Sequence, residues 1–214
     1  AMKGVEQGGA HHLDVWDHTL LTLGKAATLD LPLALACILH DIGKPLTKSI
    51  EADGRIRFFK HEDVGAELSF QLLFRLKFSV KEARQVSLLV KNHMRLGSLS
   101  SMTPSAARRL VREMGADTER LLDLIQADIL ALRPGQVVMD LAPFRQAIAE
   151  VRESESAPQW ESPLDGREIM EATGLPPGPE LGAVKERLRE EVIEGRIPQG
   201  DKEAAYGWLR TLQR

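Results

Sequence analysis

A single cysteine, a single tyrosine and an aromatic share of only 5% mark this chain of 214 residues. Lone Cys37 cannot close an intrachain disulfide, so a disulfide-stapled scaffold is excluded and a cytoplasmic protein is expected. Its neighbours Leu35, Ala36, Ile38 and Leu39 suit a buried thiol better than a nucleophile. Long apolar runs are missing too: the longest, Leu33 to Leu39, falls far short of the roughly 20 residues that span a bilayer. No secretory leader is recognisable, and no membrane partner is expected. A net charge of −3 excludes a global basic field for nucleic acid but leaves a local basic face open. What remains is a globular composition, 43% hydrophobic and 28% charged, in a chain long enough to bury a core without staples.

Helical periodicity fills most of that length. Asp14 to Ala27 reads as a first helix. Pro32 takes a first-turn position in a second, which Gly43 and Pro45 end. Between Thr47 and Lys60 the pattern changes. Asp53-Gly54 is a hairpin signal flanked by Ile50, Ile56, Phe58 and Phe59, so a two-stranded ribbon is predicted. His61 to Leu76 is a third helix. Ser79 and Glu82 form a capping box for a fourth, which runs to about His93. A fifth starts at Thr103-Pro104, Asp117 caps a sixth reaching Leu132, and a seventh covers Pro143 to Glu153. Ser154 to Ser162 is polar, carries Pro158 and reads as a linker. A compact tail follows, with helices over Pro163 to Ala172 and Glu180 to Glu194 around a Gly174 to Pro179 turn, and a last helix capped by Asp201. The expected organisation is a domain over 1–153, a linker over 154–162 and a helical tail over 163–214 packed on the core. Trp16 reads as core, Trp160 and Trp208 as packing residues in preference to base-stacking ones, and the Glu186, Glu190, Glu191, Glu194 run as a solvated face.

What the chain does have is six histidines, four of them placed where a metal site would want them. On the second helix Leu33, Cys37, His40 and Lys44 share a stripe, with Asp41 turned toward one flank. The fourth helix carries Ala83, Val86, Val90 and His93 on one stripe, and the sixth carries Leu121, Ile125, Asp128 and Leu132. A lone carboxylate at an apolar position is costly unless paired or metal-bound. Asp41 stands at a helix C-terminal end, where the macrodipole opposes an anion and a cation would compensate. Each residue also has a plainer reading: a hydrogen-bonded core histidine for His40 or His93, an exposed helix start for His61, an ion pair with Arg108 or Arg109 for Asp128. As a set with His18, they are expected to bind metal. His12 could enter the mouth of such a pocket, or His11 and His12 could both be exposed.

Five segments carry a wider pattern: Asp14-Val15-Trp16-Asp17-His18-Thr19, His40-Asp41-Ile42-Gly43-Lys44-Pro45, His61-Glu62, Asn92-His93-Met94-Arg95 and Ala127-Asp128. In them the chain resembles the HD-domain metal-dependent phosphohydrolase superfamily. Phe58 to Ala66, Arg108-Arg109-Leu110 and the tail from Pro163 to Pro179 also look like the HD region and tail of bacterial CCA-adding tRNA nucleotidyltransferases. The resemblance implies an all-α HD helical bundle with a small two-stranded β ribbon and a helical C-terminal tail. Those enzymes carry a polymerase head with a Gly-Ser start and paired catalytic aspartates. About a dozen residues precede the first helix here, without such a pair, so the expectation is a free-standing HD protein that does not add nucleotides to tRNA.

The same resemblance implies two divalent ions. His18, His40, Asp41 and Asp128 would hold one, and Asp41 would bridge to a second held by His61 and His93. A metal pair activates water near neutral pH and clamps phosphoryl oxygens. Mixed imidazole and carboxylate ligands suit Mn, Fe, Ni, Co or Zn, and Mg less well because it prefers oxygen. Asp41 and Lys44 are the expected catalytic residues, with Lys44 neutralising phosphate. Lys44, Arg95, Arg108 and Arg109 are the candidate substrate contacts. The implied function is a phosphohydrolase acting on phosphomonoesters or cyclic phosphodiesters of nucleotides or RNA ends, as a 2′,3′-cyclic phosphodiesterase, 2′-nucleotidase or phosphatase. An RNA-binding module that keeps the fold without hydrolysis is the alternative. A di-iron oxygenase is a third reading, opposed by Lys44 and the tail.

Overall fold

The computed structural model describes residues 2–27, 29–97, 101–135, 139–154 and 160–212. Two compact units divide the chain: Ala1–Ser101 with Met114–Arg145, and Met102–Glu113 with Gln146–Arg214. Residues 102–113, expected in the first domain, therefore pack with the tail, as do 146–153. Of the expected linker, 155–159 lie outside the described residues.

Among the described residues the first unit is built on five helices, a short sixth and a two-stranded ribbon. In α1 (Val15–Lys25) the Asp14 side chain caps the first turn by accepting from Asp17 N at 2.8 Å. Asp30 does the same for Leu33 N in α2 (Leu31–Leu39), at 3.0 Å. Past this helix the reading of the sequence needs correcting. Pro45 does not end α2; it sits in the first turn of a separate short helix, α3 (Lys44–Thr47), where its missing N–H costs nothing. A turn over residues 40–43 separates the two. The ribbon forms as predicted, β1 (Lys48–Ile50) antiparallel to β2 (Ile56–Phe58), with Lys48 opposite Phe58 and Ile50 opposite Ile56. Gly54 supplies the turn with φ of +83°.

Next come α4 (His61–Arg75), α5 (Val80–Asn92) and α7 (Thr118–Leu130), the last following α6 (Pro104–Met114) of the second unit. Helix α4 packs on α5, and α2 packs on α1, α5 and α7. The predicted stripes face inward: Leu33, Cys37, Ala83, Val86, Val90, Leu121 and Ile125 are all buried. At about 1.5–3 kcal/mol for each large side chain, burial of this kind supplies most of the driving force. Ser79 and Glu82 make the expected capping box on α5. Asp117 does not cap α7. Its carboxylate accepts from Gln85 Nε2 at 2.6 Å and Arg120 Nη1 at 2.7 Å instead, because a 3₁₀ turn over Gly115–Asp117 feeds directly into the helix. Trp16 is half-buried rather than core.

The second unit contains α6 up to Glu113, most of α8 (Ala142–Ser154), α9 (Gly166–Thr173), α10 (Pro179–Ile193) and α11 (Lys202–Leu212). Trp160, Leu164, Ile169, Leu188, Ile193 and Leu209 form its core. The acidic face of α10 is not simply solvated. Arg112 reaches Glu186 at 2.9 Å and Glu190 at 2.7 Å, and Arg109 pairs with Glu194. None of the helices among the described residues is long and apolar enough to cross a membrane.

Candidate metal centre

Helix ends deliver the expected ligands. His18 projects from α1, His40 is the residue after α2, Asp41 lies in the following turn, His61 opens α4, His93 follows α5 and Asp128 comes from the last turn of α7. His40 and His93 sit where a helix leaves its final carbonyls without partners. Each uses one of them: His40 Nδ1 donates to Cys37 O at 2.9 Å and His93 Nδ1 to Val90 O at 2.7 Å. His61 Nδ1 likewise donates to Phe58 O at 2.9 Å. With Nδ1 committed as donor, Nε2 of a neutral ring carries the lone pair, and the ring is held for ligation.

The six side chains form two sets. His18, His40 and Asp128 offer ligand atoms within 4.8 Å of one another, and so do Asp41, His61 and His93. Asp41 addresses both. Its Oδ2 is 3.2 Å from His40 Nε2 and 3.9 Å from His18 Nε2, while its Oδ1 is 3.4 Å from His61 Nε2 and 3.9 Å from His93 Nε2. Asp41 therefore points inward, not toward a flank of α2, because the chain leaves the helix one residue earlier. Asp128 Oδ1 accepts from His18 Nε2 at 2.8 Å and is 3.7 Å from His40 Nε2, so an arginine is not its partner here.

Two buried atoms in this cluster, Nε2 of His40 and Oδ1 of Asp41, lack a hydrogen-bond partner, while Oδ2 of Asp41 lies 2.7 Å from the Lys44 ammonium. Such orphans are costly in a protein interior unless something else satisfies them. Buried, unpaired imidazole and carboxylate donors fit divalent cations.

Electrostatics sharpen the picture. Burial alone would push His40 down, but the Asp41 carboxylate, helped by Asp128, overrides it and raises His40 to about 9. Burial would likewise raise Asp41, yet His40 and Lys44 hold it well below the usual carboxylate range. His93 goes the other way, down to about 4, through burial and the neighbouring His40 charge. The metal-free protein thus carries a proton on His40 at neutral pH, and a cation at Nε2 must displace it. Metal affinity is expected to rise about tenfold per pH unit between roughly pH 7 and 9. The chelated protein should behave oppositely. A folded pKa of about 9 against the ordinary 6.5 stabilises fully below pH 6.5 and is lost as pH rises through 9. Calorimetric metal titrations and melting of the chelated protein at pH 6.5, 7.5 and 9 check both trends; flat affinity would show that His40 releases no proton.

Lys44 is buried, with Nζ 2.7 Å from Asp41 Oδ2 and 5.4 Å from the centroid of the Phe58 ring. Its Nζ also donates to Gln7 Oε1 at 2.5 Å. Gln7 is a site residue the sequence reading missed; an isolated glutamine in a Gly-rich segment carries no periodic signal. The N-terminal segment lies along the site, tied down by Val15 N to Val5 O and Arg133 N to Ala10 O, both 3.0 Å. It brings in His11, not His12, which is exposed. The His11 ring stands edge-on to His18 at 4.6 Å.

A cavity of about 570 Å³ opens over the cluster. Asp41, Lys44, His61, His93 and Asp128 line one part of it. Of the arginines proposed as substrate contacts, Arg95 is half-buried and donates to Asn92 Oδ1 at 3.3 Å. Arg108 Nε donates to Ile193 O at 2.6 Å and Arg109 pairs with Glu194, both within the second unit.

Residues 15–132, more than half of the chain, match the HD domain family model. The chain belongs to the HD-domain family. HD domains bind divalent metals, in keeping with the His and Asp groups found here. Among curated relatives, an A-adding tRNA nucleotidyltransferase of Deinococcus radiodurans is 36% identical over 96% of this chain and 49% of its own length. A CC-adding tRNA nucleotidyltransferase of Thermus thermophilus is 35% identical over 97% of this chain and 47% of its own. A multifunctional CCA protein of Pseudomonas fluorescens is 29% identical over the full chain and 45% of its own length. This HD-domain chain thus spans about half the length of the curated relatives it matches.

Proposed function

We propose that this HD-domain protein is a metal-dependent phosphohydrolase acting on phosphomonoesters or cyclic phosphodiesters of nucleotides or RNA ends. One observation carries the reading. Asp41 is buried with its two oxygens turned toward different histidine sets, Oδ1 without a hydrogen-bond partner and Oδ2 against the Lys44 ammonium. A carboxylate so placed suits a bridge between two cations, with His18, His40 and Asp128 holding one and His61 and His93 the other. Bound divalent ions would supply Lewis acidity toward phosphoryl oxygens and lower the pKa of water.

The chain's own residues supply the rest. Lys44 presents an ammonium group to the cavity, braced by Gln7 Oε1 and the Phe58 ring, and suits a phosphoryl oxygen whose negative charge grows during reaction. Three Nδ1-to-carbonyl bonds keep the imidazoles from rotating. An RNA end as substrate is favoured by relatives named as tRNA nucleotidyltransferases. The alternative of a non-hydrolytic RNA-binding module is less well supported, since it gives the buried ligand atoms nothing to do and Arg109 is already neutralised by Glu194.

The test is a panel of 2′,3′-cyclic nucleotides and nucleoside monophosphates assayed with Mn, Fe, Ni, Co, Zn and Mg. Turnover that chelation removes and added metal restores is expected. Salt-sensitive RNA binding with no hydrolysis under any metal would sink the enzyme reading and favour the binding module.

A further inference from the structure

We propose that Phe59 and Met94 form a base-binding clamp at the cavity mouth, so that the ester group accepted here is the nucleoside of a nucleoside phosphate. The inference deepens the phosphohydrolase reading of the same cavity and rests on it. Phe59 is 71% exposed and Met94 47%, and both line the cavity that holds Asp41 and Lys44. Their positions follow from the ligands. Met94 directly follows His93, and Phe59 lies two residues before His61, with Lys60 between them in the left-handed region at φ of 58°. The same turns that aim the two imidazoles inward leave an aromatic ring and a thioether at the mouth.

The neighbouring phenylalanines divide the work. Phe58 is engaged beneath the Lys44 ammonium at 5.4 Å, on the phosphate side. Among the described residues no other ring stacks on Phe59. Ile125, Ile129 and Leu132 of the α7 region add an apolar wall. The result is a pocket with a charged part for phosphate and a mouth offering a free aromatic face and a polarizable sulfur. About 570 Å³ is nucleotide-sized rather than phosphate-sized, within the ~300–1,000 Å³ usual for organic ligands. Lys60, next to Phe59, is an exposed cation that suits a phosphorylated nucleoside and not a fatty chain, while Arg57 lines the cavity with its guanidinium 3.3 Å from Glu51.

Equilibrium binding of adenosine monophosphate, ribose 5-phosphate and octyl phosphate to the metal-loaded full chain tests the clamp. Wild type should bind adenosine monophosphate about tenfold or more tightly than ribose 5-phosphate. Phe59→Ala should abolish that preference while leaving ribose 5-phosphate affinity and metal content unchanged, and Phe59→Trp should retain it. Equal affinity of the two ligands in wild type, a preference that survives Phe59→Ala, or tighter binding of octyl phosphate would each overturn the clamp. Hydrolysis is scored separately on the same samples. Turnover of phosphoesters without base preference removes the clamp and keeps the phosphohydrolase; Phe59-dependent binding without turnover removes the phosphohydrolase and keeps the clamp.

Discussion

Asp41→Asn is expected to lose both metal equivalents and to lower turnover by more than about 100-fold. The substitution keeps the shape and deletes the charge, so the loss is electrostatic. Among the described residues Asp41 is the one carboxylate within 3.9 Å of all four candidate ligand imidazoles, His18, His40, His61 and His93. The metal-free protein should suffer as well. Lys44 and protonated His40 would face each other without their shared anion, and breaking a buried pair costs about 3–5 kcal/mol. Part of that is recovered when His40 sheds its proton, since burial by itself drives its pKa down. A melting temperature lower by roughly 5–10 °C is expected for the chelated variant, near the bottom of the range that cost implies. Elemental analysis, phosphatase assay and melting read the three effects on one preparation. Full metal occupancy in Asp41→Asn would end the bridging interpretation.

Gly43→Ala should be worse for the fold, against what helix propensity suggests. Gly43 has an ordinary helical backbone, φ −77° and ψ −21°, so alanine there would normally stabilise by up to about 1 kcal/mol. Packing reverses the sign. A Cβ would lie 2.2 Å from His61 O and 2.7 Å from Gly65 N, both backbone atoms that cannot rotate away. The start of α4 would have to retreat, at a cost of about 3 kcal/mol or more, and His61 would retreat with it from Asp41. Gly24→Ala in α1 meets nothing within 4 Å and serves as the control, expected to stabilise slightly. Thermal melts of the two variants, with metal stoichiometry for Gly43→Ala, decide the matter. A Gly43→Ala protein as stable and as well loaded as wild type would show that α4 does not depend on this contact.

These two residues also mark how far a linear reading reaches. Three of the six candidate ligands, His40, His93 and Asp128, were legible because a histidine or carboxylate on an apolar stripe contradicts its surroundings; Asp41 stood out by its place at a helix C-terminal end, and His18 and His61 were carried by the family resemblance. The capping box at Ser79, the ribbon around Gly54 and the buried Cys37, whose thiol burial and Asp128 push up to about 12, were legible for similarly local reasons. Pro45 was misread because proline tolerates the first turn of a new helix as readily as it ends an old one. Gly43 carried a termination signal, and its steric role is invisible without α4 beside it.

By itself the sequence determined the helices, their buried faces and which side chains were chemically out of place, since periodicity and capping act over a few residues. It was also enough to choose a metal-binding chemistry from the residue types. Only the tertiary structure decided that Asp41 turns one oxygen toward each histidine set, that His11 and not His12 enters, and that Gln7 grips Lys44. Those facts depend on packing between segments as far apart as His18 and Asp128, where position is set by the fit of whole helices and not by any local preference.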